Sequence, residues 1–308
     1  MNNYKTKSPV LFLIFNRPDV TELVFEQIKK QQPQKLYIAA DGPRNDRFNE
    51  KELCNETRSI INKIDWDCEV KTLFRDENLG CKYAVSSAIN WFFDNEEEGI
   101  ILEDDCLPSD DFFVFCDTML EKYRFDTRIR HIGGSNLQMG QKHGKDSYYF
   151  SNLTHVWGWA SWRRAWNDYD VELSRYKDID AENSFKLIFS DPIVVDSWKS
   201  IFDKMLRSEI DTWDYQWTIT NFFNNSLSII PNVNLISNIG FGVNATHTIN
   251  ADDCFSNLKT EKLDDITHPI IVLPSKTADF FTMAREFNVE RKRRKNKWRR
   301  LKFWKKKK

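Results

Sequence analysis

The stretch Gly99-Ile100-Ile101-Leu102-Glu103-Asp104-Asp105-Cys106-Leu107-Pro108-Ser109 decides how the rest of the chain is read. An apolar run ends abruptly in three acids. A short continuous apolar run bounded by turn signals reads as a buried strand, so the carboxylates of Glu103, Asp104 and Asp105 stand at the rim of a sheet. Clustered hard oxygen ligands there suit Mg²⁺ or Mn²⁺ held together with a substrate diphosphate. The competing reading is an acidic turn that carries no ligand.

Upstream of this stretch, residues 10–15 form another apolar run of strand length. Pro18 then stands where a first helical turn tolerates it, and Val20, Leu23, Val24 and Ile28 follow a helical stripe. Residues 36–40 read as a second strand ending in the turn signal Asp41-Gly42-Pro43. Acid-rich helical sequence runs to about residue 62, and residues 69–74 read as a third strand. Asn78-Leu79-Gly80 turns the chain into a helix with Cys81, Ala84, Val85, Ala88, Ile89 and Phe92 on one face. This alternation predicts an α/β fold, a mostly parallel sheet with helices on both faces. Ligands in such sheets bind beyond the carboxyl ends of the strands. Three of those ends carry Asn16-Arg17, Asp41 and Glu103-Asp104-Asp105.

Beyond residue 110 the pattern is less regular. Helices are expected over 112–123, 193–206 and 214–223, a strand over 228–236 and a polar loop over 240–248; residues 250–285 show weak periodicity. Residues 155–166 hold four Trp, read as core in part, with Trp157 or Trp159 as an alternative platform for a sugar.

The 308 residues, 41% hydrophobic, suffice for one large α/β domain or two small ones. The net charge of −1 conceals an asymmetry. Residues 291–308 carry 13 Lys or Arg and no acid, which leaves 32 basic against 46 acidic residues, a net −14, in residues 1–290. The six Cys show neither a Cys-x-x-Cys pair nor a zinc spacing, and read as reduced thiols of a cytosol rather than a disulfide framework. The apolar stretch near the N-terminus is too short for a signal peptide and lacks a small-residue cleavage site. No run approaches a membrane span. The expected location is cytoplasmic, with peripheral attachment to the inner face of a membrane as the variant.

Taken in order, several pieces resemble metal-dependent glycosyltransferases of the GT-A fold. They are residues 10–17 with their Phe-Asn-Arg end, Ala40-Asp41-Gly42, Cys81-Lys82-Tyr83-Ala84, Leu102-Glu103-Asp104-Asp105, Trp157-Gly158-Trp159, Trp213-Asp214-Tyr215-Gln216-Trp217 and Ile230-Pro231. Across about residues 8–248 the chain is similar to the N-acetylglucosaminyltransferase that initiates complex N-glycan branching and to related bacterial sugar transferases. The resemblance implies a Rossmann-like GT-A sheet divided into a nucleotide-sugar-binding half (1–125) and an acceptor-binding half with a C-terminal extension (126–285), followed by a basic aromatic tail (286–308). It implies inverting transfer of a sugar, N-acetylglucosamine or another hexose, from a UDP-sugar to a glycan or lipid-linked acceptor, with Mn²⁺ or Mg²⁺ as cofactor.

Residue by residue, the resemblance implies that Arg17 contacts the diphosphate, Asp41 the uracil ring and Lys82 the nucleotide region. From the strand-end position itself, Asp105 reaches furthest into the crevice and is the expected metal ligand, Asp104 the ribose or water-bridged metal contact, and Glu103 orients the donor sugar or stabilises the loop. Asp214 is the catalytic base, although relatives carry a second acid where this chain has Tyr215. His247 is a phosphate or metal contact. Each has a plainer reading: a helix-start cation for Arg17, a turn residue for Asp41, a solvated Lys82, a hydrogen-bonded acid for Asp214 and an ordinary loop histidine for His247. A retaining glycosyl- or nucleotidyltransferase is the enzymatic alternative. A non-catalytic membrane- or nucleic-acid-binding protein with a degenerate site is the other. In the tail, Trp298, Leu301, Phe303 and Trp304 interleave with Lys and Arg, a pattern that fits an anionic membrane surface. Nucleic acid is not the expected partner.

Overall fold

The computed structural model describes residues 4–240, 255 and 257–306, with side chains to residue 298. The chain runs β1 (Val10–Ile14), α1 (Pro18–Gln31), β2 (Lys35–Ala40), α2 (Glu50–Arg58), β3 (Glu69–Phe74), α3 (Gly80–Asn95), β4 (Glu98–Glu103), β5 (Cys106–Pro108), α4 (Asp110–Tyr123), β6 (Ile129–Gly133), β7 (Tyr148–Ser151), β8 (Trp159–Trp162) and α5 (Arg163–Trp166). It continues through α6 (Ala181–Ile188), α7 (Pro192–Leu206), α8 (Asp214–Phe223), β9 (Leu227–Pro231), β10 (Ile236–Asn238), α9 (Lys276–Glu286) and α10 (Val289–Lys306).

Eight strands form one sheet in the order β3-β2-β1-β4-β8-β6-β9-β7, and β10 pairs with β5 in a separate ribbon. β3, β2, β1 and β4 are mutually parallel. β8 runs antiparallel to both β4 and β6, β9 is parallel to β6, and β7 is antiparallel to β9. Within the eight-stranded sheet, all strands but β8 and β7 therefore share one direction. The expected mostly parallel α/β sheet is what the chain forms.

The alternation of side chains along a strand divides the core. Val10, Phe12 and Ile14 of β1 point to one face, where Val24, Phe25 and Ile28 of α1 and Phe112, Phe115 and Met119 of α4 cover them. Leu11 and Leu13 point to the other, against Ala88, Ile89 and Phe92 of α3 and the indoles Trp159, Trp166, Trp213 and Trp217. The near-continuous apolar runs of β1 and β4 follow from this double burial. A third cluster joins α6 through α9, with Phe185, Trp198, Phe222 and Phe287 at its centre.

Two expectations for the second half are corrected. Residues 228–236 are not one strand. β9 ends at Pro231, and the amides of Asn232 and Asn234 turn the chain by donating to backbone carbonyls of His143, Asp146 and Ile236 at 2.7–3.0 Å. The chain then enters the separate ribbon as β10. Trp159 is no sugar platform. It is fully buried, stacked on His131 at 5.3 Å and on Trp213 at 5.7 Å. The turn into β8 needs Gly158, whose φ is +62° and where a β-carbon would overlap the Ile236 side chain.

The same aromatic layer fixes α8. Trp217 Nε1 donates to His131 Nδ1 at 3.2 Å, which leaves His131 Nε2 to carry the proton toward His155 O at 3.1 Å. Burial holds the His131 pKa down at about 3, so the imidazole stays neutral and the bond from Trp217 persists. Trp213 and Trp217 thereby pin the first turn of α8, which begins with Asp214, against the sheet.

Candidate active site

The parallel register sets Leu13 of β1 beside Glu103 of β4. Both strands end there, so Asn16-Arg17 and Glu103-Asp104-Asp105 emerge side by side at the carboxyl edge. Arg17 precedes α1 and reaches across to the acids. Its Nη2 bonds Asp104 Oδ1 and lies 2.9 Å from Asp105 Oδ2, and its Nε lies 3.4 Å from Asp104 Oδ2. Burial works against this cation, but the charges of Asp104 and then Asp105 outweigh it and hold the guanidinium pKa above its ordinary value.

Asp105 is fixed from a second side. Ile239 N–H donates to its carbonyl at 2.9 Å, Cys106 Sγ lies 3.5 Å from Oδ1, and a β-carbon at Gly240 would overlap its carboxylate. The backbone leaving β10 thus closes directly onto this side chain. Burial, opposed by Arg17 and reinforced by Asp105, raises the Asp104 pKa to about 6.

Glu103 keeps part of its surface in solvent although protein surrounds it. That desolvation, followed by the charges of Asp105, Asp104 and Asp214, pushes its pKa up to about 8. Between its ordinary value and that one, the folded state holds a proton that the unfolded state releases. Stability from this group therefore falls as pH rises through the window. The melting temperature of wild type in metal-free buffer should fall between about pH 6 and pH 8, and Glu103→Gln should flatten that slope. Parallel slopes in differential scanning calorimetry would remove Glu103 from the coupled cluster.

Asp214 faces the same region. Thr212 Oγ1 donates to its Oδ1, and Asp214 opens the first turn of α8. Its charge acts on Glu103, on Glu286 at the end of α9, and on the half-buried thiol of Cys81, which also feels Glu103, Asp211 and Asp41. Glu286 is an exposed residue at the end of α9. Desolvation and then Asp214 push it up to about 7. No motif in the sequence marks Glu286, which stands at the boundary between the weakly periodic stretch 250–285 and the basic tail.

Asp41 is engaged in holding the chain. Its carboxylate accepts from the N–H groups of Gly42, Leu79 and Gly80 at 2.9–3.1 Å and from Asn78 Nδ2 at 2.9 Å, which fixes the entry to α3. Burial raises its pKa, against these backbone donors. Lys82 is buried and its Nζ lies 2.9 Å from Glu172, which Tyr83 also contacts at 2.7 Å. Glu50, likewise unmarked in the sequence, is buried and ties the two loops together. It accepts from Asn16 Nδ2 at 2.9 Å and from the backbone and guanidinium of Arg44. His247 lies outside the described residues.

Among the described residues, no group of three or more His, Cys, Asp or Glu is arranged to hold a metal by itself. The donor set that is present, one or two carboxylates at an open strand edge, is the kind that binds Mg²⁺ when substrate phosphates complete the coordination. Asp105, with Asp104 beside it, would hold such an ion. Both aspartates pair with Arg17.

Comparison with protein-family models and with curated proteins finds no match. Solved structures with similar folds include mouse xyloside xylosyltransferase 1 in its apo form, with 11% identity, 70% of this chain and 81% of that one covered, and a TM-score of 0.36. An apo UDP-glucose pyrophosphorylase matches with 8% identity over 72% and 90% of the two chains, also at 0.36. The 4-diphosphocytidyl-2C-methyl-D-erythritol synthase of Anaerococcus prevotii matches with 10% identity over 71% and 97%, at 0.33. Likenesses of this size leave the chemistry to be argued from the chain's own residues. No helix among the described residues is long and apolar enough to cross a membrane.

Proposed function

We propose that this chain is an inverting, metal-dependent glycosyltransferase that moves a sugar, N-acetylglucosamine or a similar hexose, from a UDP-sugar to a glycan or lipid-linked acceptor. The observation that carries the reading is the meeting of Arg17, Asp104 and Asp105 at the ends of two parallel strands, with Asp214 close enough for its charge to act on Glu103. A bound Mg²⁺ or Mn²⁺ would offset charge developing on the leaving diphosphate.

The chain's own groups divide the remaining work. Asp214 accepts the proton of the attacking hydroxyl, as a general base set in place by a rigid helix start. Arg17 is within reach of a diphosphate seated against Asp105, and a planar guanidinium suits phosphate oxygens as well as carboxylates. Asp41 and Glu50 hold the loops beyond β2 and β1 in position, and Asp41 contacts the base only through whatever lone-pair capacity its four donors leave. Glu103, raised in pKa, orients a hydroxyl of the donor sugar.

A thermal-shift panel tests this. UDP-sugars with Mn²⁺ should raise the melting temperature in proportion to the logarithm of their excess over the dissociation constant, and omitting Mn²⁺ should remove most of the shift. A panel in which no nucleotide-sugar moves the transition, with or without the ion, counts against the whole reading.

A further inference from the structure

The described contacts of α10 with the body lie in its first turns. Val289 is fully buried, Lys292 Nζ lies 2.8 Å from Ser197 Oγ on α7, and Arg293 pairs with Asp191 at the start of α7. The Arg293 guanidinium also lies 5.8 Å from the Phe280 ring of α9. Beyond Arg293 the described side chains are all exposed, Trp298 at 67%, and among the described residues no carboxylate pairs with Arg294, Lys295 or Lys297. The helix continues to Lys306, about 27 Å in all at the α-helical rise.

Arg294, Lys295 and Lys297 are thus cations that no carboxylate among the described residues neutralises. The apolar residues of this helix are not scattered. In the sequence, Trp298, Leu301 and Trp304 recur every third residue, next to Phe303 and among Lys and Arg. A duplex groove or an RNA backbone would satisfy the charge. Large apolar residues set among the cations, with an indole already open to water, call for a medium offering anions and an apolar boundary in one layer. The headgroup region of an anionic bilayer does so, and aromatic side chains concentrate there.

We propose that α10, beyond its anchor at Arg293, docks the protein on anionic phospholipid bilayers. The body's net −14 is held off the surface while the helix contributes the attraction. Docking is independent of the catalytic reading, because it involves neither donor nor metal.

The test is cosedimentation of the full chain with vesicles of phosphatidylcholine alone and with about 30% phosphatidylserine, at about 0.1 M and 0.5 M salt. Association with the anionic vesicles should exceed that with neutral ones by roughly tenfold or more and collapse at the higher salt. The double variant K295E/K297E should lose it with an unchanged melting temperature, since neither side chain contacts the body. Trp298→Ser should weaken it at the lower salt. Equal binding to neutral vesicles, no binding to either, retention by the charge-reversed variant, or tighter binding to single-stranded RNA than to anionic vesicles at matched salt would each overturn the proposal.

Discussion

Asp214→Asn is expected to lower the rate of sugar transfer by on the order of 10²–10⁴, the usual contribution of a positioned general base, with UDP–Mn²⁺ affinity unchanged. The substitution keeps an oxygen for the Thr212 hydroxyl and removes only the capacity to accept a proton from the acceptor. The surroundings support a clean result. Trp213 and Trp217, both buried, anchor the helix turn on either side, so the fold does not rest on the carboxylate. Two measurements are needed together: single-turnover transfer and calorimetric titration with UDP and Mn²⁺. Wild-type turnover in the variant would rule out Asp214 as the base. Loss of nucleotide binding along with turnover would make it a structural acid, and the anomeric configuration of the product would then become the decisive datum for an inverting or retaining course.

The second large effect is expected at Asp105. Asp105→Ala should abolish the Mn²⁺-dependent part of UDP binding and cost at least about 10²–10³ in turnover, comparable to removing one preorganised group that stabilises developing charge. The fold should survive. The Asp105 side chain lies at a strand end, its contacts are the Arg17 ion pair, the Cys106 thiol and the Gly240 backbone, and Arg17 keeps Asp104 as a partner. Alanine leaves a small gap beside Gly240 rather than a clash. Manganese electron paramagnetic resonance, read with and without UDP, separates the ion from the reaction. If the variant binds Mn²⁺–UDP as wild type does, the ion is held elsewhere, and residues around His247 become the first to examine.

The first half of the fold was legible because β1, β2 and β4 are buried on both faces. Burial of that kind writes itself as unbroken apolar runs, and turn signals such as Asp41-Gly42 and Leu79-Gly80 separate them from the helices. The second half was not. β6, β7 and β8 span four or five residues, and β8 reads as a cluster of Trp because its identity as a strand comes from pairing with β4 and β6 rather than from its own period. The acids at the end of β4 were visible, since an abrupt change from Leu102 to Glu103 is a local feature. Their counter-ion was not visible as such. Arg17 and Asp104 lie 87 positions apart in sequence, and only the adjacency of parallel β1 and β4 joins them. Glu50 and Glu286 escaped for the same reason: each acts through neighbours brought by the tertiary fold. Asp41 shows the opposite case, in which the turn chemistry read from Asp-Gly is present and extends to four donors around one carboxylate.

The salt link from Arg17 to both aspartates also bears on how the molecule is assembled in the cell. Like charges crowded at a sheet edge ordinarily resist being brought together, and sites built that way wait for an ion before they can close. Here the chain supplies its own positive partner from the loop after β1, so the two aspartates can be brought together in folding by a group the polypeptide already carries.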